Sequence, residues 1–414
     1  MSYSILSLDG GGTWALIQVR VLQQRYGDDA TGHSVLRNYD LVIANSGGSL
    51  VLAAMCMNHP LSKIAEMFLN ENVLQTIFVK KPFFYYAPWI KHFFPRFRTM
   101  AKIEGLRKQL VNKEDDLDSD ILLTELPRRI GKDSLQIIIT CFDYDRERAV
   151  YFRSNKDSAM ETGFIEKSLG LPLNDAFKTV SLLHAIHGSS NAPVQFFDDP
   201  AEFAFDTEKG SPIKRFWDGA VGGNNNPIAV GILEAVANGA VKEEIRIVSI
   251  GTANILTPIL YNTNDEPKSE RDWLVKYGKN EGFFGDLKKM ASSILDDPPD
   301  AATFNAHQLL GMLYEKPNKK LIRINPLVKP ILDEKTNIWM KPGNANWTDE
   351  DLKTLFSMDM AVIEKNKVEL INTLCKDFFA GMFDNQGIRI GGKKIEPILG
   401  HRKFNEALKD WNEW

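Results

Sequence analysis

The first sixty residues contain two kinds of apolar pattern that follow each other twice. Tyr3–Leu8 is a short apolar run that stops at Asp9 and three glycines, and from Ala15 to Tyr26 apolar residues recur at helical spacing. The pattern then repeats, with a buried strand predicted at Tyr39–Ala44, a short turn, and a helix at Ser49–Asn58. Two consecutive strand–turn–helix units predict parallel winding of strands and helices.

Later segments extend this pattern. Apolar runs typical of buried strands occur at Leu135–Phe142, Ala149–Phe152, Ile245–Ile250 and Leu321–Pro326. From residue 359 to residue 379 apolar positions return at helical intervals, and the tail with Trp411 and Trp414 is predicted to dock as a further helix. We therefore expect an α/β fold with a mainly parallel central sheet, built as one elaborated domain.

Composition narrows the class of protein. The 414 residues are 43% hydrophobic and 25% charged, which is typical of a globular chain with a sizeable core. The formal net charge of -4 gives no general attraction to nucleic acid, so we expect no nucleic-acid partner. Cys56, Cys141 and Cys375 are odd in number and widely spaced, which argues against a disulfide framework or a zinc site and favours a reducing compartment.

Targeting and membrane signals are also missing from the sequence. It has no basic leader and no run of about 18 uncharged apolar residues, so we expect a cytoplasmic protein without a transmembrane segment. No cofactor or metal site is predicted.

Ser46 is the first candidate for chemistry. It lies between the predicted strand and the next helix, in a relaxed form of the G-x-S-x-G pattern. A nucleophile at such a sharp turn needs small residues two positions before and after it, and Ala44 and Gly48 meet that need. The alternative is that Ser46 caps the helix, which is equally typical of serine. Ser49 is a competing nucleophile, although it falls inside the first helical turn.

Gly10, Gly11 and Gly12 form the second candidate site. Consecutive glycines between a strand and a helix leave backbone N–H groups uncovered, which suits a phosphate or a developing oxyanion. A tight turn without a ligand is the simpler alternative. The same residues also resemble the phosphate-binding turn of actin-like sugar kinases, but that fold continues into a hairpin strand, whereas the following residues have helical periodicity.

Asp218 is the third candidate, because it precedes Gly219 and Ala220 in a flexible, glycine-rich stretch. An isolated Asp-Gly pair is more often only a β-turn. Histidine is the usual alternative base, yet only His184 and His187 lie in a comparable glycine- and serine-rich segment. Two histidines alone offer too few ligands for a metal.

Taken together, these elements resemble the patatin-like phospholipase family. The resemblance rests on the order and spacing of Asp9–Ala15, Ala44–Gly48 and Asp218–Ala220, with weaker matches at Asn191–Pro193, Ser249–Thr252 and Leu321–Pro326. It implies a three-layer α/β/α acyl hydrolase domain over residues 4–375 and leaves residues 376–414 as a C-terminal helical extension.

The resemblance also implies roles for single residues. Ser46 would be the nucleophile, Asp218 would deprotonate it directly without a histidine, and the amides of Gly10, Gly11 and Gly12 would stabilise the oxyanion. The substrate would be an acyl ester of a lipid or phospholipid at a membrane surface. A homo-oligomer is compatible with the sequence.

Two positions depart from the family pattern. Trp14 stands where an arginine is usual, and Ala44 replaces the glycine that usually opens the serine turn. A catalytically weakened protein that uses the fold for binding or regulation is therefore the alternative function. Residues 78–98 mix aromatic and basic side chains and are predicted to be an interfacial segment or lid, with burial in the core as the alternative.

Overall fold

The structure, a computed structural model, describes residues 2–81, 95–155, 180–204, 213–260, 272–277, 282, 298–311, 319–333, 335–336, 338–343, 346–387 and 400–414. In these parts of the chain the strands are β1 (Tyr3–Leu8), β2 (Leu41–Ala44), β3 (Val111–Asn112), β4 (Leu117–Asp118), β5 (Gln136–Asp143), β6 (Arg148–Arg153), β7 (Ala201–Phe203), β8 (Lys214–Asp218), β9 (Ile245–Ile250), β10 (Asn254–Ile255), β11 (Ile259–Leu260), β12 (Lys276–Tyr277), β13 (Leu321–Ile324), β14 (Pro326–Val328), β15 (Ile331–Asp333), β16 (Ile338–Met340) and β17 (Asp384–Asn385). The helices are α1 (Leu16–Tyr26), α2 (Gly32–Leu36), α3 (Ser46–Cys56), α4 (Leu61–Leu69), α5 (Glu71–Ile77), α6 (Thr99–Gln109), α7 (Leu126–Ile130), α8 (Leu182–Ser189), α9 (Ile228–Ala237), α10 (Pro298–Leu309), α11 (Asp349–Ser357), α12 (Lys365–Phe379) and α13 (Phe404–Asn412).

A mixed, mostly parallel sheet forms the centre of the molecule. Its described strands follow the order β13-β9-β1-β2-β5-β8-β7, and β6 also pairs with β5. The five strands from β13 to β5 are parallel, whereas β6 and β8 run antiparallel to β5. The predicted α/β class with a mainly parallel sheet is therefore confirmed.

Alternating side chains of the central strands bury apolar surface on both faces of the sheet. Leu6 and Val42 point into the core shared with α1 and α3, whereas Ile5, Leu41 and Ile43 belong to a second core that includes residues of α9. Complete burial of one such aliphatic side chain stabilises the fold by about 1.5–3 kcal/mol. The two cores give the three-layer α/β/α arrangement.

The C-terminal part of the chain is built into the first core. Helix α12 continues through residue 375, and α13 buries Phe404 and Trp411 in the same cluster as residues of β1 and β13. The sequence predicts helix from residue 359, but α12 begins at Lys365, because the backbone before it forms hydrogen bonds with Thr13 and Trp14.

The aromatic segment predicted at residues 78–98 falls largely outside the described residues, which stop at 81 and resume at 95. At its two ends, Phe78 and Phe97 are buried and pack edge to face with ring centroids 5.3 Å apart. The interfacial role of the segment stays a prediction. In the part of the chain that the structure describes, no helix is long and apolar enough to span a membrane.

Candidate active site

Ser46 lies at the turn between β2 and α3, as the sequence predicts. Its backbone φ of 47° is in the left-handed region, which is rare for a residue with a side chain and marks a strained turn. A Cβ on Gly48 would lie 2.7 Å from the carbonyl oxygens of Leu8 and Asp9, so only glycine fits there. Ala44 is fully buried at the end of β2, opposite Leu8.

The helix-capping alternative does not fit this geometry. Ser46 is the first residue of α3, the N-cap is Asn45, and the Asn45 side chain makes no capping hydrogen bond. The amide of Ser46 donates to Ser189 Oγ at 3.0 Å. The competing Ser49 is fully buried and its hydroxyl donates to the Ser46 carbonyl at 2.6 Å, so it has a structural partner inside the helix.

Asp218 lies beside Ser46 because of how β8 pairs with the sheet. Ala44 pairs with Ile139 of β5, and Asp218 pairs with Cys141, two residues further along the same strand. This places the carboxylate at the level of the turn that follows β2. The side chain is buried, with only 1% of Asp218 exposed.

Hydrogen bonds hold the Asp218 carboxylate in place. Its Oδ1 accepts from Asn45 Nδ2 at 3.0 Å and from the Ala220 amide at 2.9 Å. Asn45 is oriented in turn by Thr140, whose hydroxyl donates to Asn45 Oδ1 at 2.6 Å. A Cβ on Gly219 would collide with Asn45 and Thr140, which explains the Asp-Gly pair.

Burial raises the pKa of Asp218 above its usual value, since an ionised carboxylate is poorly solvated in the interior. The nearby Ser46 side chain, the hydrogen bonds from the Ala220 amide and Asn45, and the charge of Lys102 lower that pKa and oppose the effect of burial. The net effect is a raised pKa for Asp218. A carboxylate of this kind is a stronger base than one in water.

The glycine turn after β1 packs directly against the serine turn. The Gly10 amide donates to the Asn225 carbonyl at 2.8 Å and is therefore occupied in this structure. Gly12 has a φ of 57°, and the amides of Gly11 and Gly12 have no acceptor among the described residues. The Gly47 amide, at the start of α3, likewise has none, as is usual for the first turn of a helix.

Asp9, at the start of the glycine turn, has a structural partner. Its two carboxylate oxygens accept hydrogen bonds from the Arg323 guanidinium at 2.9 and 2.6 Å, and both side chains are buried. Trp14 is also buried, and its indole N–H donates to the Asp359 carbonyl at 3.0 Å. The helix α1 follows this turn, so the hairpin required by the actin-like alternative is absent from residues 13–26 and that alternative is wrong.

Two adjoining cavities open at these turns. One of about 350 Å³ is lined by Gly12, Ser46, Gly47, Leu50, Ile77, Phe78, Lys102, Ser190, Ala192, Phe196, Phe197 and Met360. The other, of about 480 Å³, shares Gly12, Leu50, Ile77 and Phe78 with the first and continues between α3, α4, α5 and α6. Its remaining lining is almost entirely aliphatic and aromatic.

Several residues of this site were not singled out from the sequence. Asn45 and Thr140 support the carboxylate, Gly47 adds a free amide, and Lys102 brings a buried ammonium group. His184 instead bonds the hydroxyl of Ser181 through its Nδ1 at 3.1 Å. Within the described residues, no three His, Cys, Asp or Glu side chains converge as a metal site.

Comparison with known proteins agrees with the motifs. A family model described as patatin-like phospholipase matches residues 6–232, more than half of the chain. No curated protein matches the sequence. Among solved structures, the crystal structure of VipD from Legionella pneumophila is similar, with 12% identity, a TM-score of 0.33, and coverage of 91% of this chain and 67% of its own. At this level the likeness adds no argument about chemistry.

Proposed function

The chain belongs to the patatin-like phospholipase family, and from that premise we propose that it hydrolyses acyl esters of lipids through Ser46 and Asp218. The observation that carries the proposal is a strained serine that lines a cavity and has a buried, hydrogen-bonded carboxylate next to it. Family members of this kind are lipid hydrolases, and the two side chains supply a nucleophile and a base.

In the first step, Ser46 Oγ attacks the ester carbonyl carbon and its proton passes to Asp218. The carbonyl oxygen takes the electron pair of its π bond and becomes an oxyanion. The raised pKa of Asp218 supports this role, since a base works best when its pKa approaches the working pH. When the tetrahedral intermediate collapses, the proton moves from Asp218 to the leaving alcohol and an acyl-serine ester remains.

The amides of Gly11, Gly12 and Gly47 are the donors that we propose for the oxyanion. Each lacks an acceptor among the described residues, and Gly12 and Gly47 line the cavity next to Ser46. One such donor contributes about 3 kcal/mol to the stability of the transition state. The Gly10 amide is excluded from this role because the Asn225 carbonyl occupies it.

Hydrolysis of the acyl-enzyme repeats the same chemistry with water. Asp218 takes a proton from a water molecule as its oxygen attacks the acyl carbon, and then returns that proton to Ser46 Oγ as the fatty acid leaves. The enzyme returns to its starting state and no other reactant is needed.

The shape of the adjoining cavity supports a lipid substrate. It starts at Gly12 and Leu50, next to the proposed oxyanion site, and has a predominantly apolar lining that would receive an acyl chain. We further propose that the protein works at the surface of a lipid aggregate, because its substrates are insoluble esters, and that it does so from the cytoplasm.

Substitutions of Ser46 and Asp218 test the proposal. Ser46→Ala and Asp218→Asn should each lower the release of fatty acid from mixed lipid micelles by about 10⁴-fold or more, and the double variant should be no worse than either single one. Ser49→Ala is the matched control, because its hydroxyl only bonds the Ser46 carbonyl, and it should retain activity. A fluorophosphonate probe should label Ser46 in the wild type and in Ser49→Ala.

The result that contradicts the proposal is equally clear. Full activity in Ser46→Ala would exclude Ser46 as the nucleophile. A wild-type protein that neither hydrolyses lipid esters nor reacts with the probe would favour the binding or regulatory alternative.

A further inference from the structure

Lys102 is a buried cation at the wall of the cavity that contains Ser46. It lies on α6 and has no exposed surface. Its ammonium donates to the His187 carbonyl at 2.8 Å and, over a longer distance of 3.4 Å, to Ser190 Oγ. The nitrogen also lies 4.4 Å from the centre of the Phe197 ring. Ser190 and Phe197 line the same cavity.

The other buried lysine and arginine side chains of the described residues have a carboxylate partner, and Lys102 differs from them. Arg323 pairs with Asp9, and Arg153 pairs with Glu234. No carboxylate of the described residues lies within 4.0 Å of the Lys102 ammonium. A buried ammonium without a carboxylate in direct contact is costly, and an anion in the cavity would offset that cost.

The electrostatic environment of Lys102 also favours an anion near its ammonium group. Burial lowers the pKa of the ammonium well below its usual value, and the charge of Asp218 is the main opposing influence. An anion in the cavity would stabilise the protonated form and be bound by it. Among the described residues that line this cavity, Lys102 is the charged one.

Lys102 and Ser46 are held by neighbouring residues at the end of α8. The Ser46 amide donates to Ser189 Oγ, and the Lys102 ammonium donates to Ser190 Oγ. The Cα atoms of adjacent residues are only about 3.8 Å apart, so the Lys102 ammonium and the Ser46 amide contact the same short segment of the chain. Both residues line the same cavity. In a glycerophospholipid, the ester groups and the phosphate are likewise separated by only a few bonds.

We propose that Lys102 binds the phosphate group of a phospholipid whose ester lies at Ser46, and that it thereby selects phospholipids over neutral glycerides. The inference rests on the proposed function. The phosphate accepts a charge-assisted hydrogen bond from the ammonium, a type of contact that a neutral acylglycerol cannot make. The glycine turn supplies no competing cation, because Trp14 stands where the family usually has an arginine.

The test compares two substrates with the same acyl chains, dioctanoylphosphatidylcholine and dioctanoylglycerol. In Lys102→Met, the ratio of kcat/KM for the phospholipid to kcat/KM for the glyceride should fall by about 10- to 100-fold, the usual effect of one hydrogen bond to a charged group. A change common to both substrates reports the loss of the Lys102 charge near Asp218. Lys102→Arg should restore part of the preference. Met100→Leu, on the exposed side of the same helix, is the matched control and should change neither value.

Inorganic phosphate distinguishes a lipid headgroup from a free anion as the ligand. We expect phosphate to inhibit the wild type weakly and Lys102→Met less. If phosphate inhibition disappears in Lys102→Met while its substrate preference is unchanged, the ligand is a free anion and the proposal is wrong. An equal loss on both substrates would mean that Lys102 acts on the reacting groups, which also overturns it.

The same measurements distinguish failure of the proposed function from failure of the proposal about Lys102. A wild-type protein that hydrolyses neither substrate refutes the hydrolase assignment and this inference with it, whereas hydrolysis of the glyceride without a Lys102-dependent preference refutes only the inference. If Lys102→Met does not fold, the wild type still tests the proposal, because glycerophosphocholine must slow the labelling of Ser46 by a fluorophosphonate more than inorganic phosphate does at the same concentration. Unchanged labelling would contradict the proposal.

Discussion

The larger cavity predicts that a substitution at Ala54 limits the length of the acyl chain. Ser46, Leu50 and Ala54 are four residues apart and therefore lie on one face of α3. Leu50 and Ala54 line the apolar cavity, so the cavity follows the helix away from Ser46. Replacing Ala54 by phenylalanine should close it at that level.

The expected limit follows from the geometry of the helix. Eight residues of α-helix span about 12 Å. An extended hydrocarbon chain advances about 1.3 Å per carbon, given carbon–carbon bonds of about 1.5 Å, so roughly nine carbons fit before Ala54. Each methylene that loses its place in the cavity costs about 0.8 kcal/mol, which is about fourfold in kcat/KM.

The assay measures kcat/KM for a series of single-chain esters from four to sixteen carbons. In the wild type the value should rise with chain length beyond ten carbons, and in Ala54→Phe the rise should stop near nine or ten. Butyrate esters should react equally with both proteins and serve as the internal control. The same dependence on chain length in a folded Ala54→Phe protein, checked by its melting temperature, would refute this path for the acyl chain.

Two further predictions concern the support of the site. Arg323→Met should lower the free energy of unfolding in urea by about 3–5 kcal/mol because it removes the guanidinium that pairs with the buried Asp9 carboxylate. A loss below about 1 kcal/mol would contradict this, and adding Asp9→Leu should recover part of the stability. Asn45→Ala removes a hydrogen bond that lowers the pKa of Asp218. Because Asp218 must be ionised to act as the base, the acidic limb of the kcat/KM profile should move to higher pH, and a limb that stays in place or moves to lower pH would count against the base assignment.

The strands that frame the site were predictable because each is buried on both faces. β1 and β9 have the bounds that their apolar runs predict, and β2 and β5 differ by only a few residues. Buried parallel strands consist of nearly continuous apolar residues, and this signal is local. The turns that follow them, with Ser46 and the glycines, could therefore be placed at one edge of the sheet.

The strand that carries Asp218 gave no comparable signal. β8 reads Lys-Arg-Phe-Trp-Asp, with charged residues at its start, and it pairs antiparallel at the side of the sheet. The hydrogen bonds of Asn45 and Thr140 depend on this pairing, so they could not be predicted before it was known. Only the resemblance to the family identified Asp218 as a site residue, because the local sequence pattern did not distinguish it from an ordinary turn aspartate.

Two other features depend on contacts between distant parts of the chain. Lys102 lies in a helix with several charged residues, and nothing local separates it from an exposed lysine; only the packing of α6 against α8 and Phe197 buries it. Residues 359–364 continue a helical pattern, yet they lie over the glycine turn, where Thr13 and Trp14 bond their carbonyls. Long-range hydrogen bonds overrode local periodicity there.

Three unfavourable features occur in and next to the cavity of Ser46, and this argues for catalysis over the binding or regulatory alternative. Ser46 has a strained backbone, which typically costs about 1–3 kcal/mol. Burial raises the pKa of Asp218 and lowers that of Lys102, so ionisation of each is opposed by its surroundings. A fold that served only for binding would be more stable with an unstrained residue at 46 and apolar residues at 102 and 218. Their presence in one small region is explained if the strain directs a nucleophile into the cavity, the neighbouring carboxylate accepts its proton, and the ammonium binds the substrate phosphate.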